Sequence, residues 1–284
     1  MPTNIPSDLP KHATNFFADV ACNATGGAIG AFAAFPWESL KKRLQSGELT
    51  PTDFRHFGNG KVLNVLRPKE LYRGSGGFCG AVMAATASSM MFNKIIHEQV
   101  PFYDAQSHLH QGAAAMGSGM LGAIVGSTPV ENMLLVQQKY KIGPHAAAKR
   151  MLQQGIFRPW VGLRELMVRE AGFAGVMLFA GPAARNAATA KTNNETAGVV
   201  AEIGVGLIGA LATHPADTIA TIRQKSNGDT PLTNAIQNIY AQDGMKGFFK
   251  GAASRMALFI MCATIIPRAV NRLQLFQAHF QERA

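Results

Sequence analysis

Charge is scarce in this chain. Asp, Glu, Lys and Arg make up 15% of its 284 residues, against about a quarter in ordinary soluble domains. Acids are scarcer than bases, 17 against 27, which leaves a formal net charge of +10. Such a surplus suits an anionic membrane surface, acidic substrates or nucleic acid. The bases are spread along the chain and none of the signature motifs of nucleic-acid modules is present, which argues against a nucleic-acid partner. Cysteines number three, Cys22, Cys79 and Cys262, and lie far apart in apolar stretches. An odd, scattered set argues against a disulfide framework and against a zinc site. No clean twenty-residue run of Leu, Ile and Val marks a membrane span. The opening MPTNIPSDLPKHATNF is polar and carries neither a signal-peptide core nor an Arg-rich presequence.

Small residues are what the chain has in quantity. Glycine alone occurs 29 times, and hydrophobic residues reach 47% while aromatics stay at 8%. This combination suits helices that pack closely through small side chains, as membrane helices do. A repeat then emerges. PWESLKKRLQ from Pro36 returns as PVENMLLVQQ from Pro129 and as PADTIATIRQ from Pro215. Two residues after each proline stands an acid, Glu38, Glu131 or Asp217, and nine after it a glutamine, Gln45, Gln138 or Gln224. A second element follows each copy: LYRG ending at Gly74, PWVG at Gly162 and FFKG at Gly251.

Each unit has the same layout. A Gly/Ala-rich helix runs into the proline and continues as an amphipathic helix, where Glu38 and Lys41 fall close enough to interact. A polar link with a short helical stretch follows, such as HAAAKRMLQQ or LTNAIQNIYAQ, and then a second small-residue helix. The pattern predicts six long helices near 13–45, 74–99, 108–138, 162–188, 196–224 and 251–277.

Two nucleotide-binding motifs compete with this layout. GVGLIG at Gly204, Gly206 and Gly209 fits G-x-G-x-x-G, with Asp229 twenty residues beyond Gly209. GSGMLG at Gly117, Gly119 and Gly122 fits as well, and both precede their repeat proline, as Gly26, Gly27 and Gly30 do in the first unit. Recurrence at one place in each unit marks a packed helix face rather than a dinucleotide turn. GNGK at 58–61 lacks the glycine frame and Ser/Thr of a P-loop. No nucleophile–base pair, metal cluster or carboxylate dyad falls on one face, so the chain does not read as an enzyme.

The triplicated pattern resembles the mitochondrial carrier family over nearly the whole chain. The family's mark is Pro-x-acid-x-x-base-x-base, usually with glutamine two further on, then acid-Gly-x4-aromatic-base-Gly. The first unit fits the first part with Pro36, Glu38, Lys41, Arg43 and Gln45, and the third fits the second part as DGMKGFFKG from Asp243 to Gly251. The resemblance implies an all-α membrane protein of six tilted transmembrane helices in three pseudo-symmetric repeats of two, with short matrix-side helices. It implies one domain over 1–284, with repeats about 13–99, 108–188 and 196–277. It further implies a monomer of the mitochondrial inner membrane that carries a small-molecule substrate by alternating access, without cofactor or metal. Pro36, Pro129 and Pro215 would kink the odd-numbered helices, and Glu38, Lys41, Gln45, Glu131, Gln138, Asp217 and Gln224 would gate their converging ends. The helix starts at Gly74, Gly162 and Gly251 would hold cardiolipin phosphates, helped by Arg73 and Lys250 but not by Val161.

The chain departs from the family in its bases. Leu134 and Val136 replace one motif pair, Ala220 and Ile222 the other. Lys41 is then expected to meet Asp217, with Glu38 and Glu131 left without their family partners and the three glutamines bracing the closed end. At the opposite end, FNKIIHE, GPAARN and RAVNRL supply Lys94, Arg185 and Arg272 but almost no acids, so interfacial charges are expected there. The degenerate motifs are also similar to those of diverged carrier-like proteins, including ones that intracellular bacteria deliver to host mitochondria.

For substrate, counting seven from Gly162 reaches Arg169, followed by Glu170. In the family an Arg–acid pair there resembles carriers of amino acids and related zwitterions, carnitine- and S-adenosylmethionine-like compounds among them. Arginine grips a carboxylate and the neighbouring acid receives an ammonium. The competing structural role is an ion pair with Glu165, four residues earlier. Arg255 joins as a further candidate contact, while Ala81 and Leu258 are apolar at the matching positions. An adenine nucleotide is the alternative substrate, favoured by the positive charge. A carrier fold that binds a partner or lipid without transporting is the alternative class.

Overall fold

A computed structural model of the chain describes residues 16–50, 53, 62–63, 66–100, 104, 106–226 and 228–281. The polar opening stretch, the expected helix start at 13–15 and GNGK at 58–61 lie outside the described residues. Among the described residues the chain is all-helical. In chain order the helices are α1 (Phe16–Gln45), α2 (Pro68–Leu71), α3 (Ser75–Gln99), α4 (His108–Tyr140), α5 (Pro144–Gln153) and α6 (Leu163–Thr192). They continue as α7 (Glu195–Ala212), α8 (His214–Lys225), α9 (Leu232–Asp243) and α10 (Ala252–Gln281). Among the described residues four stretches are, by length and composition, long and apolar enough to cross a membrane: His108–Tyr140, Leu163–Thr192, Glu195–Ala212 and Leu232–Ala278.

The long helices pack in chain order, α1 on α3, α3 on α4, α4 on α6 and α6 on α7, and α10 closes a ring by packing on both α7 and α1. Small residues permit the approach. A methyl group on Gly119 would sit 2.3 Å from the Glu170 carbonyl, and one on Gly206 would meet the Phe259 ring at 1.9 Å. The two G-x-G-x-x-G stretches are therefore helix-packing faces inside α4 and α7. Gly204, by contrast, faces open space.

The three repeat prolines solve one problem in three ways. Proline removes a backbone donor and its ring crowds the carbonyl four residues back. Pro36 is absorbed within a continuous α1. Pro129 follows a turn of π-helix over Ala123–Ser127, which relieves the crowding inside α4. Pro215 follows a one-residue break at Thr213, so the single helix expected over 196–224 is two, α7 and α8. The short stretches expected in the links form α5 and α9.

Polarity runs opposite to that of a soluble domain. Glu38, Lys41, Lys42, Gln45, Glu131, Arg169, Asp217 and Arg255 are buried, while Phe17, Phe32, Val125, Val168, Val200, Ile208, Leu275 and Phe276 are exposed. An apolar exterior around a charged interior is the arrangement a lipid surround favours.

Three glycines tie the ring together. Gly74, Gly162 and Gly251 precede α3, α6 and α10 with φ of 91°, 80° and 83°, a left-handed conformation that is costly for any other residue. Each meets the position five residues after a repeat proline: Gly74 meets Leu134, Gly162 meets Ala220 and Gly251 meets Lys41. The contacts thus run from the first unit to the second, the second to the third and the third to the first. Gly74→Ala would place a methyl 2.3 Å from Leu134 Cδ1, besides about 1–2 kcal/mol of backbone strain. A clear fall in Tm in detergent is expected. Gly76→Ala, whose methyl would meet nothing within 4 Å, should be neutral or raise Tm, since a helical Gly→Ala is worth roughly 0.5–1 kcal/mol. Equal losses at both positions would contradict the packing role.

Candidate functional site

Where the repeat prolines direct α1, α4 and α8 together, the acids from all three units meet. Asp217 sits at the start of α8 and is fully buried. Lys41 Nζ lies 3.1 Å from Asp217 Oδ2, Arg255 Nη1 3.2 Å from the same oxygen, Arg169 Nη1 2.7 Å from Oδ1, and Lys42 Nζ 3.7 Å from Oδ1. Gln45 Nε2 donates to Asp217 Oδ2 at 2.9 Å. Four cations from α1, α6 and α10 therefore surround one carboxylate.

The other two repeat acids, without their family partners, are paired by other bases. Glu38 Oε2 binds Lys41 within α1 at 2.7 Å. Glu131 binds Lys42 at 2.8 Å and also Arg169. Arg169 further pairs with Glu170 beside it. Lys41, Lys42, Arg169 and Arg255 thus face Glu38, Glu131, Glu170 and Asp217, and the formal charges cancel. Cancellation is what makes the burial tolerable, because an unpaired charge in a low-dielectric interior costs several kcal/mol or more.

Arg169 is not held by Glu165, which pairs instead with Arg223 of α8 at 2.6 Å. Of the three repeat glutamines, Gln45 alone bridges to another helix among the described residues. Its Nε2 reaches Asp217 and Thr218, and its Oε1 accepts from Thr221. Gln138 Nε2 and both polar side-chain atoms of Gln224 are buried without a partner, so the expected three-way brace is a single one. Arg73 is engaged by Glu70 at 2.6 Å and Lys250 by Asp243. The backbone donors at the starts of α3 and α6 have no side-chain cap. The Glu70 pKa is lowered chiefly by its hydrogen bonds from Arg73.

Lys42 was the residue missed. The family pattern directs attention to Arg43, but Arg43 points away, to Glu48 and the Glu70 carbonyl. Helical periodicity held the signal: 38, 41, 42 and 45 follow the i, i+3, i+4, i+7 spacing of one face. Also missed was a clamp beside the network. Arg158 Nη1 donates to Asn132 Oδ1 at 2.8 Å, and Asn132 Nδ2 donates to the Pro159 carbonyl at 2.9 Å. Thr218 makes the matching contact in the third unit, to the Phe248 carbonyl at 3.0 Å.

At the opposite end of the helices two of the three expected interfacial bases have acids nearby. Arg185 lies 3.4 Å from both Glu195 and Glu202, and Lys94 lies 3.7 Å from Glu98 and over the Phe16 ring. Both are more than one-third exposed, so these pairs hold the ends weakly. Arg272 is exposed.

The profile of the mitochondrial carrier protein family matches residues 193–267. The chain is similar to mitochondrial glycine transporter B of Danio rerio, 25% identical over 82% of this chain and 86% of the relative. It is 23% identical to mitochondrial arginine transporter BAC2 of Arabidopsis thaliana, over 86% of each chain. A third relative, mitochondrial thiamine pyrophosphate carrier 1 of Coccidioides immitis (strain RS), is 25% identical over 60% of this chain and 52% of its own length.

The shared network predicts coupling. Lys42→Met and Glu131→Leu should each lower Tm, since breaking a buried pair costs up to about 3–5 kcal/mol. The double variant should lose clearly less than the two single losses combined. Additive losses in thermal unfolding would show that the two groups do not depend on one another.

Proposed function

We propose that this chain, a diverged relative of the mitochondrial carriers, moves a small charged metabolite across the mitochondrial inner membrane by alternating access. In this proposal α1, α3, α4, α6, the α7–α8 pair and α10 are six spans in three units of two. The equivalent glycine contacts between units and the apolar exterior support it. At about 1.5 Å per residue, the 30 residues of α1 and 25 of α3 are long enough to span the roughly 30 Å hydrocarbon core.

The proposed substrate is an amino acid or related zwitterion, held by Arg169 and Glu170 with Arg255 nearby. Two relatives that align over most of their length are named as glycine and arginine transporters. The observation that carries the proposal is the placement of Arg169, which touches Glu170, Glu131 and Asp217 together. A substrate carboxylate that takes the guanidinium competes with Glu131 and Asp217 for it, and the substrate ammonium draws on Glu170. Binding and release of the closed end are then one exchange of partners. Glu38, Lys41, Gln45, Glu131 and Asp217 act as the gate at that end, and Gln138 and Gln224 line it. The uncapped starts of α3 and α6, with that of α10, are proposed to hold cardiolipin phosphates.

Uptake into liposomes reconstituted with the full chain tests this. Labelled glycine, arginine, carnitine, S-adenosylmethionine and ATP are each offered with and without the same compound inside. Uptake of a zwitterion is expected, and Arg169→Ala should reduce it roughly ten- to a hundred-fold, as loss of a charged hydrogen bond of about 1.5–3 kcal/mol implies. ATP uptake alone would assign an adenine nucleotide. No uptake by folded protein would favour a carrier fold that binds without transporting.

A further inference from the structure

Beyond Gln45, at the end of the helix bundle where α1, α4 and α8 finish, lies a cleft of about 350 Å3. Its lining includes Lys139 and Lys141 at the end of α4, Arg158 before α6 and Lys225 at the end of α8. Glu48 contributes a carboxylate, already bound by Arg43. Among the described residues, Lys139, Lys141 and Lys225 have no carboxylate within ion-pair distance. Arg158 is held in place there, with Nη1 donating to Asn132 Oδ1 at 2.8 Å and Nη2 to the Gln224 carbonyl at 3.0 Å.

Two amides add a second, independent observation. Gln224 lines the cleft and is 1% exposed, yet neither its Nε2 nor its Oε1 has a hydrogen-bond partner. Gln138 lines it as well, and its Nε2 is likewise buried without a partner. Buried polar groups are nearly always satisfied, and one that is not calls for a partner of matching chemistry. Two amide donors beside three lysines call for an anion rich in acceptor oxygens.

We propose that this cleft binds a phosphate group, with Lys139, Lys141 and Lys225 supplying charge and Gln138 and Gln224 supplying amide donors. A phosphate offers up to two charges and several acceptor oxygens, which suits this set better than a single carboxylate does. The ligand would touch the ends of α4 and α8 and the chain leaving α1, so its binding holds the three ends together. The site is separate from Arg169 and does not rest on the transport proposal.

The probe is inorganic pyrophosphate, titrated calorimetrically into the purified full chain in detergent at constant ionic strength. Saturable binding is expected, accompanied by a rise in Tm. The double variant Lys139→Gln, Lys141→Gln, both exposed and remote from the buried network, should weaken binding at least ten-fold at unchanged unliganded Tm. Arg73→Gln with Lys250→Gln should leave binding unaltered. Absence of saturable binding, or full affinity in the Lys139/Lys141 variant, overturns the proposal. Added cardiolipin identifies the source of the phosphate: competition assigns a lipid head group to the site, and its absence assigns a soluble phosphate.

Discussion

Asp217 is the group on which the rest of this structure depends. A fully buried carboxylate is tolerable only when its charge is answered, and here four cations answer it from three different helices. That demand draws α1, α6 and α10 toward α8. It also explains how the chain survives the loss of bases from its second and third proline motifs. Lys42 and Arg169 take over Glu131, and Arg255 joins at Asp217. Three of the four cations in this network, Lys42, Arg169 and Arg255, come from outside the repeated positions, and the charges cancel as a group rather than pair by pair.

Pooling charge in this way merges two roles that could have been kept apart. Arg169 is both the proposed substrate contact and a member of the closing network. A substrate that engages it cannot leave the network unchanged, because one guanidinium has a fixed set of donors. On the proposed function, coupling between binding and opening needs no relay through the helices. The opposite end, held by half-exposed pairs at Arg185 and Lys94, has no comparable constraint.

Much of the arrangement was legible in the sequence because its causes are local. Helix positions followed from small-residue stretches, and the starts of α3, α6 and α10 from glycines that take a left-handed conformation. Proline positions were plain, yet not their consequences: a continuous helix, a π-turn and a break answer the same residue, since the surrounding packing decides how each is relieved. The Lys41–Asp217 proximity is what the resemblance to the carrier family implies through its cyclic pairing. The partners of Glu131 do not follow from it, because Lys42 lies off the family motif and Arg169 comes from a helix with no motif base at that place. Gln138 and Gln224 repeat the position of Gln45 without its contacts: Gln138 Nε2 and both polar side-chain atoms of Gln224 have no partner among the described residues.

Water access to the closed helix ends tests the central role of Asp217 most directly. A cysteine at Thr221, fully buried between Lys42 and Gln45, would be introduced after replacing Cys22, Cys79 and Cys262. Its labelling by a membrane-impermeant thiol reagent would be compared with and without Asp217→Asn, in proteoliposomes opened to both faces. Protection with Asp217 and rapid labelling with asparagine is the result this structure predicts. Equal protection in both would mean that the ends stay closed without the carboxylate, and that Asp217 is not what holds them.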